Sequence, residues 1–157
     1  MTGYWRDEQK TTQALTRDGW LRTGDMGWMD EEGYIYLTGR ADDMIIRGGE
    51  NISPEEVEEV LQSHPKVEEA AVIGVPDPEW GEQPRAVVVL KEGESATEEE
   101  IIEYCRARLA GFKRPRSAIF VESLPRNPMG KVLRKKLREE HNQPWQHKVR
   151  PEVQIKD

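Results

Sequence analysis

Residues 53–90, SPEEVEEVLQSHPKVEEAAVIGVPDPEWGEQPRAVVVL, begin with a helix start signal. Ser53 can cap the helix, Pro54 suits its first turn, and Glu56 completes the S-x-x-E capping box. Apolar residues then recur at helical spacing until the His-Pro pair at 64–65, which stops the pattern. The stretch therefore predicts a short amphipathic helix.

Two apolar runs follow this helix, at 70–75 and 86–90. Both are rich in β-branched residues and too short for helices, so each predicts a buried strand. A second capping box, formed by Thr97 with Glu100, predicts a helix that continues through residue 109, with Gly111 as its C-terminal stop.

Short apolar or basic segments before and after this region predict further strands and a helix. Residues 44–46 predict a brief strand, residues 119–121 a further core strand, and residues 132–140 a basic helix. From about 43 to 140 the predicted order is β-α-β-β-α-β-α. We expect an α+β fold (α/β-like), with a small mixed sheet flanked by helices.

The first 40 residues have a different character. Residues 7–15 predict a short polar helix, and the aromatic runs at 26–29 and 34–37, joined by a polar turn, predict a β-hairpin. These short strands have little to pack against, so the chain begins as if cut from a longer protein. Residues 142–157 have no clear periodicity and are interpreted as a tail.

Composition excludes several classes of function. The 157 residues carry 23 basic and 30 acidic side chains, a net charge of −7, which argues against nonspecific nucleic-acid binding by the whole chain. No apolar run approaches the roughly 20 residues of a membrane span. A single cysteine, Cys105, fits a reducing compartment. The terminal residues QIKD match no peroxisomal signal, so the cytoplasm is the expected location.

Basic residues gather in the C-terminal third, which suggests a small anionic ligand such as a phosphate, the alternative being a solvated helix face. There, PRNPMGK at 125–131 presents Lys131 on an exposed turn. Such a lysine suits the stabilisation of developing negative charge, although an ordinary surface lysine is the alternative. Pro125 and Val132 show that this is no Walker A loop.

Two further segments contain candidate functional residues. Thr23-Gly24-Asp25 places a carboxylate on a glycine turn, a common way to bind ribose hydroxyls. GRADDMIIRGG at 39–49 combines a charged turn, a short strand and paired glycines, and is typical of a switchable junction ahead of a new domain. An ordinary charged turn is the alternative.

Four blocks in one order carry a family resemblance: residues 3–5, 18–58, 72–89 and 112–138. Together they resemble the C-terminal part of the acyl-adenylate-forming (AMP-binding) superfamily. That superfamily includes acyl- and aryl-CoA synthetases, such as 4-chlorobenzoate-CoA and fatty-acid-CoA ligases, the adenylation domains of peptide synthetases, and luciferase. IIRGGENI at 45–52 is more similar to the CoA ligases.

The resemblance implies a division of the chain into three parts. Residues 1–41 would be the truncated end of a large N-terminal adenylating domain, 42–141 a mobile C-terminal domain, and 142–157 the tail. The phosphate loop and acyl pocket of the family would lie upstream of Met1. We therefore expect a fragment that needs the missing N-terminal domain as its partner and is not fully active alone.

The resemblance also implies a reaction in two steps. A carboxylic acid attacks the α-phosphate of Mg-ATP to give an acyl-adenylate and pyrophosphate. The C-terminal domain then rotates, and the CoA thiol displaces AMP. ATP with Mg²⁺ and CoA would be substrates, with no prosthetic group or protein-held metal.

Site residues carry over from the family by position. Lys131 would be the catalytic lysine of adenylation, Asp25 would bind the ribose of ATP, Arg40 its ribose or phosphate, and Asp42 would be the hinge. Ile46 stands where some relatives carry a lysine that is used in the second step. The positions implied to bind CoA are Gly48, Gly49, Glu50, Trp80, Phe112, Arg114 and Arg116.

Three alternatives stay open. Phe112 could be a plain core residue. The chain could come from an adenylation domain that loads a carrier protein, although the Gly-Gly-Glu-Asn loop and the Phe112, Arg114 and Arg116 cluster disfavour this. It could also be a stand-alone, non-catalytic binding module.

Overall fold

The computed structural model describes residues 1–145, and the last twelve residues of the predicted tail, 146–157, lie outside the described residues. The chain divides into two compact units, Met1–Met44 and Ile45–Asp157. The assignment of residues 1–41 to the end of a larger domain stays a prediction.

The first unit contains one helix and one hairpin. Helix α1 spans Glu8–Ala14, and the Asp7 carboxylate caps it by accepting the Lys10 N–H. Strands β1 (Asp25–Met29) and β2 (Ile35–Arg40) pair antiparallel. The predicted helix and hairpin are confirmed.

Apolar side chains of the first unit remain exposed. Trp28 and Tyr36 stack across the hairpin at 4.3 Å between ring centroids, yet both are about half exposed. No residue between 1 and 44 is fully buried. The expectation that these strands have little to pack against is confirmed within this unit, and an apolar surface of this kind is typical of an interface.

The second unit is built on a five-stranded mixed sheet. The order is β4-β3-β6-β5, and β7 pairs with β6 as its parallel neighbour, whereas the other pairs are antiparallel. The strands are β3 (Ile45–Arg47), β4 (Glu50–Ile52), β5 (Val67–Asp77), β6 (Gly81–Leu90) and β7 (Ser117–Phe120). The predicted mixed sheet and α+β class are confirmed.

Three helices cover the two faces of this sheet: α2 (Pro54–Gln62), α3 (Glu98–Arg106) and α4 (Arg134–His141). Alternation along β5 explains the layers. Val72 packs in the cluster of α2 and α3, whereas Ile73 packs in the cluster with Leu137 of α4. Successive side chains of a strand point to opposite faces, so a strand buried on both faces is apolar throughout.

The two predicted capping boxes have different outcomes. At α3, the Thr97 hydroxyl accepts the Glu100 N–H at 3.2 Å, and the Glu100 carboxylate accepts the Thr97 N–H in return. At α2, Ser53 makes no side-chain cap and its hydroxyl donates to Glu55 at 2.8 Å. Glu56 instead pairs with Lys113 at 2.7 Å, so the predicted box at 53–56 is wrong.

Other boundaries also differ from the sequence-based expectation. Helix α3 ends at Arg106, so Gly111 is not its C-terminal stop. Strand β4 was not predicted, because its three residues are too few for a periodic pattern. In the predicted tail, Trp145 packs against the buried cluster that contains Ile73 and Leu137, named here the α4-side cluster, and donates its indole N–H to the Arg116 carbonyl at 3.2 Å. That residue is therefore part of the folded unit.

The structure describes no membrane-spanning helix and no metal-binding cluster within residues 1–145. No helix in this range is long and apolar enough to cross a membrane. No group of three or more potential ligands in the same range is placed to hold a metal ion.

Cys105 is buried, and burial raises the pKa of its thiol to about 11, which makes it an unreactive core residue.

His64, just after α2, predicts a pH dependence of stability. Burial lowers the pKa of His64 from 6.5, although the nearby Glu100 carboxylate opposes this. The unfolded chain therefore binds a proton at higher pH than the folded chain. The contribution of His64 to the free energy of unfolding should be constant above pH ~6.5 and fall below it, by at most about 1.4 kcal/mol per pH unit.

The variant His64→Asn tests this dependence. Asparagine can still accept the Lys66 N–H, which His64 Nδ1 accepts at 3.2 Å, but it does not titrate. Urea unfolding between pH 5 and 7.5 should show that the wild type loses stability relative to the variant as the pH falls. Parallel stability curves would contradict the assignment.

Candidate functional site

The β5–β6 hairpin has two ends that matter for the site. Its closed end is the pair Asp77 and Gly81, and its open end is the pair Val67 and Leu90. The candidate residues of the second unit gather near one end or the other.

Gly48 and Trp80 meet at the closed end. The Gly48 N–H donates to the Trp80 carbonyl at 2.8 Å. A Cβ at Gly48 would lie 2.6 Å from Trp80 Cε3, whereas one at Gly49 would meet nothing within 4 Å. The backbone has positive φ at both, +58° and +88°. Gly48 is thus required by the Trp80 ring, and Gly49 by its backbone conformation.

Trp80 itself is held from two sides. Asp77 Oδ1 accepts the N–H of Glu79 at 2.9 Å and of Trp80 at 2.8 Å, which forms an Asx turn. The Arg47 guanidinium lies 4.8 Å from the Trp80 ring centroid, and its Nε donates to Gln83 at 2.7 Å. The sequence patterns indicated no role for Arg47 or Asp77, although the Asp-Pro turn signal at 77 could have identified the latter.

Arginine side chains add positive charge at this end. The backbone N–H of Arg116 donates to the Pro84 carbonyl at 3.0 Å, and the side-chain Nε of Arg114 donates to the Leu109 carbonyl at 2.9 Å. Burial lowers the pKa of Arg116, and repulsion from Arg47, Arg114 and Arg106 lowers it further. A bound phosphate group would relieve this repulsion, because its oxygens accept charge-assisted hydrogen bonds from guanidinium groups.

The positions of Phe112 and Glu50 do not by themselves indicate contact with a ligand. Phe112 is partly buried against the α2 and α3 side of the core, which agrees with the alternative of a core residue. Lys113 lies 5.6 Å from its ring centroid. Glu50 is exposed at the start of β4, opposite Arg47 in the strand register.

Lys131 lies in a loop with well-defined backbone bonding. Asn127 Oδ1 accepts the N–H of Met129 at 3.0 Å and of Lys131 at 2.9 Å, and the Asn127 N–H donates to the Lys131 carbonyl at 2.9 Å. The Lys131 residue is exposed, and no acidic side chain within residues 1–145 forms an ion pair with it. An ordered backbone thus carries an ammonium group that is available to a ligand.

The Lys131 loop and Trp80 lie at opposite ends of the hairpin. Arg126, at the start of the loop, pairs with Glu69 near the open end at 2.7 Å, whereas Asp77 holds Trp80 at the closed end. Residues 69 and 77 are separated by about 26 Å of strand, at roughly 3.3 Å per residue. The structure therefore does not bring Lys131 together with the Trp80 group.

In the first unit the structure brings Asp25 and Arg40 together. Arg40 Nη1 donates to Asp25 Oδ1 at 2.8 Å, and Nη2 donates to the Thr23 carbonyl at 3.2 Å. Gly24, with φ +78°, leaves room for the guanidinium. Asp42 lies in the 3₁₀ turn Ala41–Asp43 that follows β2.

Comparison with known proteins identifies the class. The family model described as the AMP-binding enzyme C-terminal domain matches residues 56–131. The chain is 51% identical over 139 residues to 2-succinylbenzoate–CoA ligase of Bacillus cereus, covering 88% of this chain and 28% of that protein. It is 48% identical over 143 residues to a mitochondrial medium-chain acyl-CoA ligase, ACSF2, of Rattus norvegicus, covering 91% and 23%.

A solved structure agrees with these relatives. ATP-bound MatB from Rhodopseudomonas palustris matches with a TM-score of 0.83 and 44% identity, over 89% of this chain and 28% of that one. The chain belongs to the AMP-binding enzymes through their C-terminal domain, and its relatives are CoA ligases, as the resemblance predicted. It spans about a quarter of the length of these relatives.

The paired glycines provide a matched test of the Trp80 contact. Alanine at either position bears the cost of positive φ, about 1–2 kcal/mol. Only Gly48→Ala also drives a methyl group into Trp80, so it should lose more stability and shift the indole NMR signal of Trp80. Urea unfolding and NMR of both variants measure this, and equal effects would contradict the contact.

Proposed function

We propose that this chain forms the C-terminal part of an AMP-forming acyl-CoA ligase, which converts a carboxylic acid, ATP and CoA to acyl-CoA, AMP and pyrophosphate through an acyl-adenylate. One observation carries the proposal. A small unit presents an exposed lysine at one end of its hairpin and a glycine, tryptophan and arginine group about 26 Å of strand away. Two such ends suit two successive steps.

Lys131 would serve the first step. Its ammonium group is carried by a loop whose backbone is ordered by Asn127. Attack of a carboxylate on the α-phosphate concentrates negative charge, and a positioned cation stabilises that charge in the transition state. Mg²⁺ would arrive with ATP as part of the substrate.

The closed end of the hairpin would serve the second step. The space beside Gly49 is open, so a narrow chain such as pantetheine would pass along its backbone, while the ring of Trp80 lies against Gly48 and borders that path. Glu50 borders this loop. Arg114 and Arg116, with Arg47 nearby, would bind CoA phosphates, and Phe112 would border the adenine.

The first unit would contribute the nucleotide contacts and the hinge. Asp25 would accept hydrogen bonds from the ribose hydroxyls of ATP, with Arg40 orienting it through their ion pair. Asp42, in the turn after β2, would absorb the backbone rotation between steps. The exposed aromatic side chains of this unit would pack against an N-terminal portion like that of the relatives.

A chimera tests the proposed function. The chain would replace the matching C-terminal portion of the Bacillus cereus 2-succinylbenzoate–CoA ligase, to which it is 51% identical. We expect ATP–pyrophosphate exchange with 2-succinylbenzoate and formation of the CoA thioester. Exchange without transfer to free CoA, but with transfer to a carrier protein, would favour the carrier-loading alternative. No exchange would contradict the proposal.

The variant Lys131→Ala, made in the chimera, separates the two steps. Loss of the cation should lower the rate of adenylation by about 10²–10³-fold, while thioester formation from supplied acyl-adenylate stays near the wild-type rate. Lys136→Ala is the matched control, because Lys136 forms an exposed pair with Glu140 on α4. Equal loss in both half-reactions would refute the role of Lys131.

The variant Asp42→Pro tests the hinge. Proline fixes φ near −65° and so restricts rotation of the backbone at this position. Adenylation should persist and thioester formation should stop, as measured by pyrophosphate exchange and by acyl-CoA release in the chimera. An unaffected second step would show that the rotation does not pass through Asp42.

A further inference from the structure

The tip of the Lys131 loop has a tether that the family resemblance did not assign. Arg126 Nη1 donates to the carbonyl oxygen of Gly130 at 2.6 Å. Arg126 Nη2 donates to Glu69 Oε1 of β5 at 2.7 Å. One guanidinium therefore connects the peptide bond that precedes Lys131 to a core strand 57 residues away in sequence.

Other contacts hold different parts of the loop. Leu124 and Val132 pack in the α4-side cluster and anchor its base. Beyond the loop, Arg134 is bound by Glu58 at 2.7 Å, and Glu58 also accepts the Val72 N–H at 2.7 Å. The hydrogen bonds of Asn127 stay within the loop and set its shape.

Arg126 makes the connection between the loop tip and the sheet. Packing fixes where the loop starts and ends, and Asn127 fixes its internal turn, but neither connects the tip at Gly130 to the sheet. A planar guanidinium with several donors can bind a carbonyl and a carboxylate together, which an ammonium group holds less rigidly.

We propose that Arg126 and Glu69 are positioning residues for Lys131, with Glu69 acting through Arg126 to hold the Gly130 carbonyl and so direct the lysine. The proposal rests on the proposed function only for the role of Lys131 in adenylation. The order of the loop tip can be measured without any activity.

Because the Arg126–Glu69 pair is exposed, its role in positioning Lys131 can be tested without unfolding the chain. The side chains of Arg126 and Glu69 are 41% and 38% exposed, and ion pairs of this kind contribute little to global stability. The buried Arg134–Glu58 pair, 13% and 11% exposed, is the contrasting case, because its disruption leaves a charge in the core. Variants of Arg126 and Glu69 should therefore fold.

The first experiment uses the 157-residue chain itself. Amide hydrogen exchange of Met129 and Lys131 is measured by NMR in the wild type, Arg126→Gln, Glu69→Gln and the control Lys136→Gln. Loss of the tether should raise both exchange rates by roughly tenfold in the first two variants, because the tip opens locally, with an unchanged thermal midpoint. Unchanged exchange in Arg126→Gln would overturn the proposal.

The second experiment uses the chimera. Arg126→Gln should lower kcat of ATP–pyrophosphate exchange by about tenfold, keep KM for ATP within about twofold, and spare thioester formation from supplied acyl-adenylate. The double variant Glu69→Gln/Arg126→Gln should be no slower than Arg126→Gln alone, because Glu69 acts through the arginine.

The outcomes of the two experiments are separable. Equal loss in both half-reactions, additive losses in the double variant, or the same loss in Lys136→Gln would overturn the positioning role. If the unsubstituted chimera shows no exchange, the proposed function fails, and the hydrogen-exchange result alone decides whether Arg126 and Glu69 order the loop tip.

Discussion

The antiparallel ladder between β5 and β6 is the constraint on which the second unit depends. It runs from Val67 and Leu90 to Asp77 and Gly81, and helices cover it on both faces. A strand buried on two faces cannot shift by one residue without moving every side chain to the wrong layer. The register is therefore fixed, and so are the positions of the loops at its two ends.

The candidate site follows from that fixed register. At the closed end Asp77 shapes the turn that carries Trp80, and Gly48 lies against its ring. At the open end Glu69 faces Arg126 at the start of the Lys131 loop. Because a rigid ladder separates the two groups, reacting atoms at one place could meet both only if the unit turned. This geometry supports the two-step reaction that is proposed for the chain.

The sequence predicted most elements but not all of their local bonds. Both capping boxes match the same pattern, yet only the box at Thr97 forms. At α2, Glu56 instead pairs with Lys113, a partner 57 residues distant, and the Ser53 hydroxyl donates to Glu55. A four-residue sequence pattern indicates which neighbouring residues can form hydrogen bonds. It contains no information about a charged residue that is distant in sequence and that folding brings into contact.

The sequence by itself determined the strands at 70–75 and 86–90, the family, and the glycines beside a candidate ligand path, because apolar periodicity and residue type act locally. Only the tertiary structure decided that Arg47 lies over Trp80, that Arg126 reaches Glu69, and that Lys131 lies at the other end of the hairpin. Those facts depend on strand pairing and helix packing between distant segments, and the order of residues along a chain does not contain such distances.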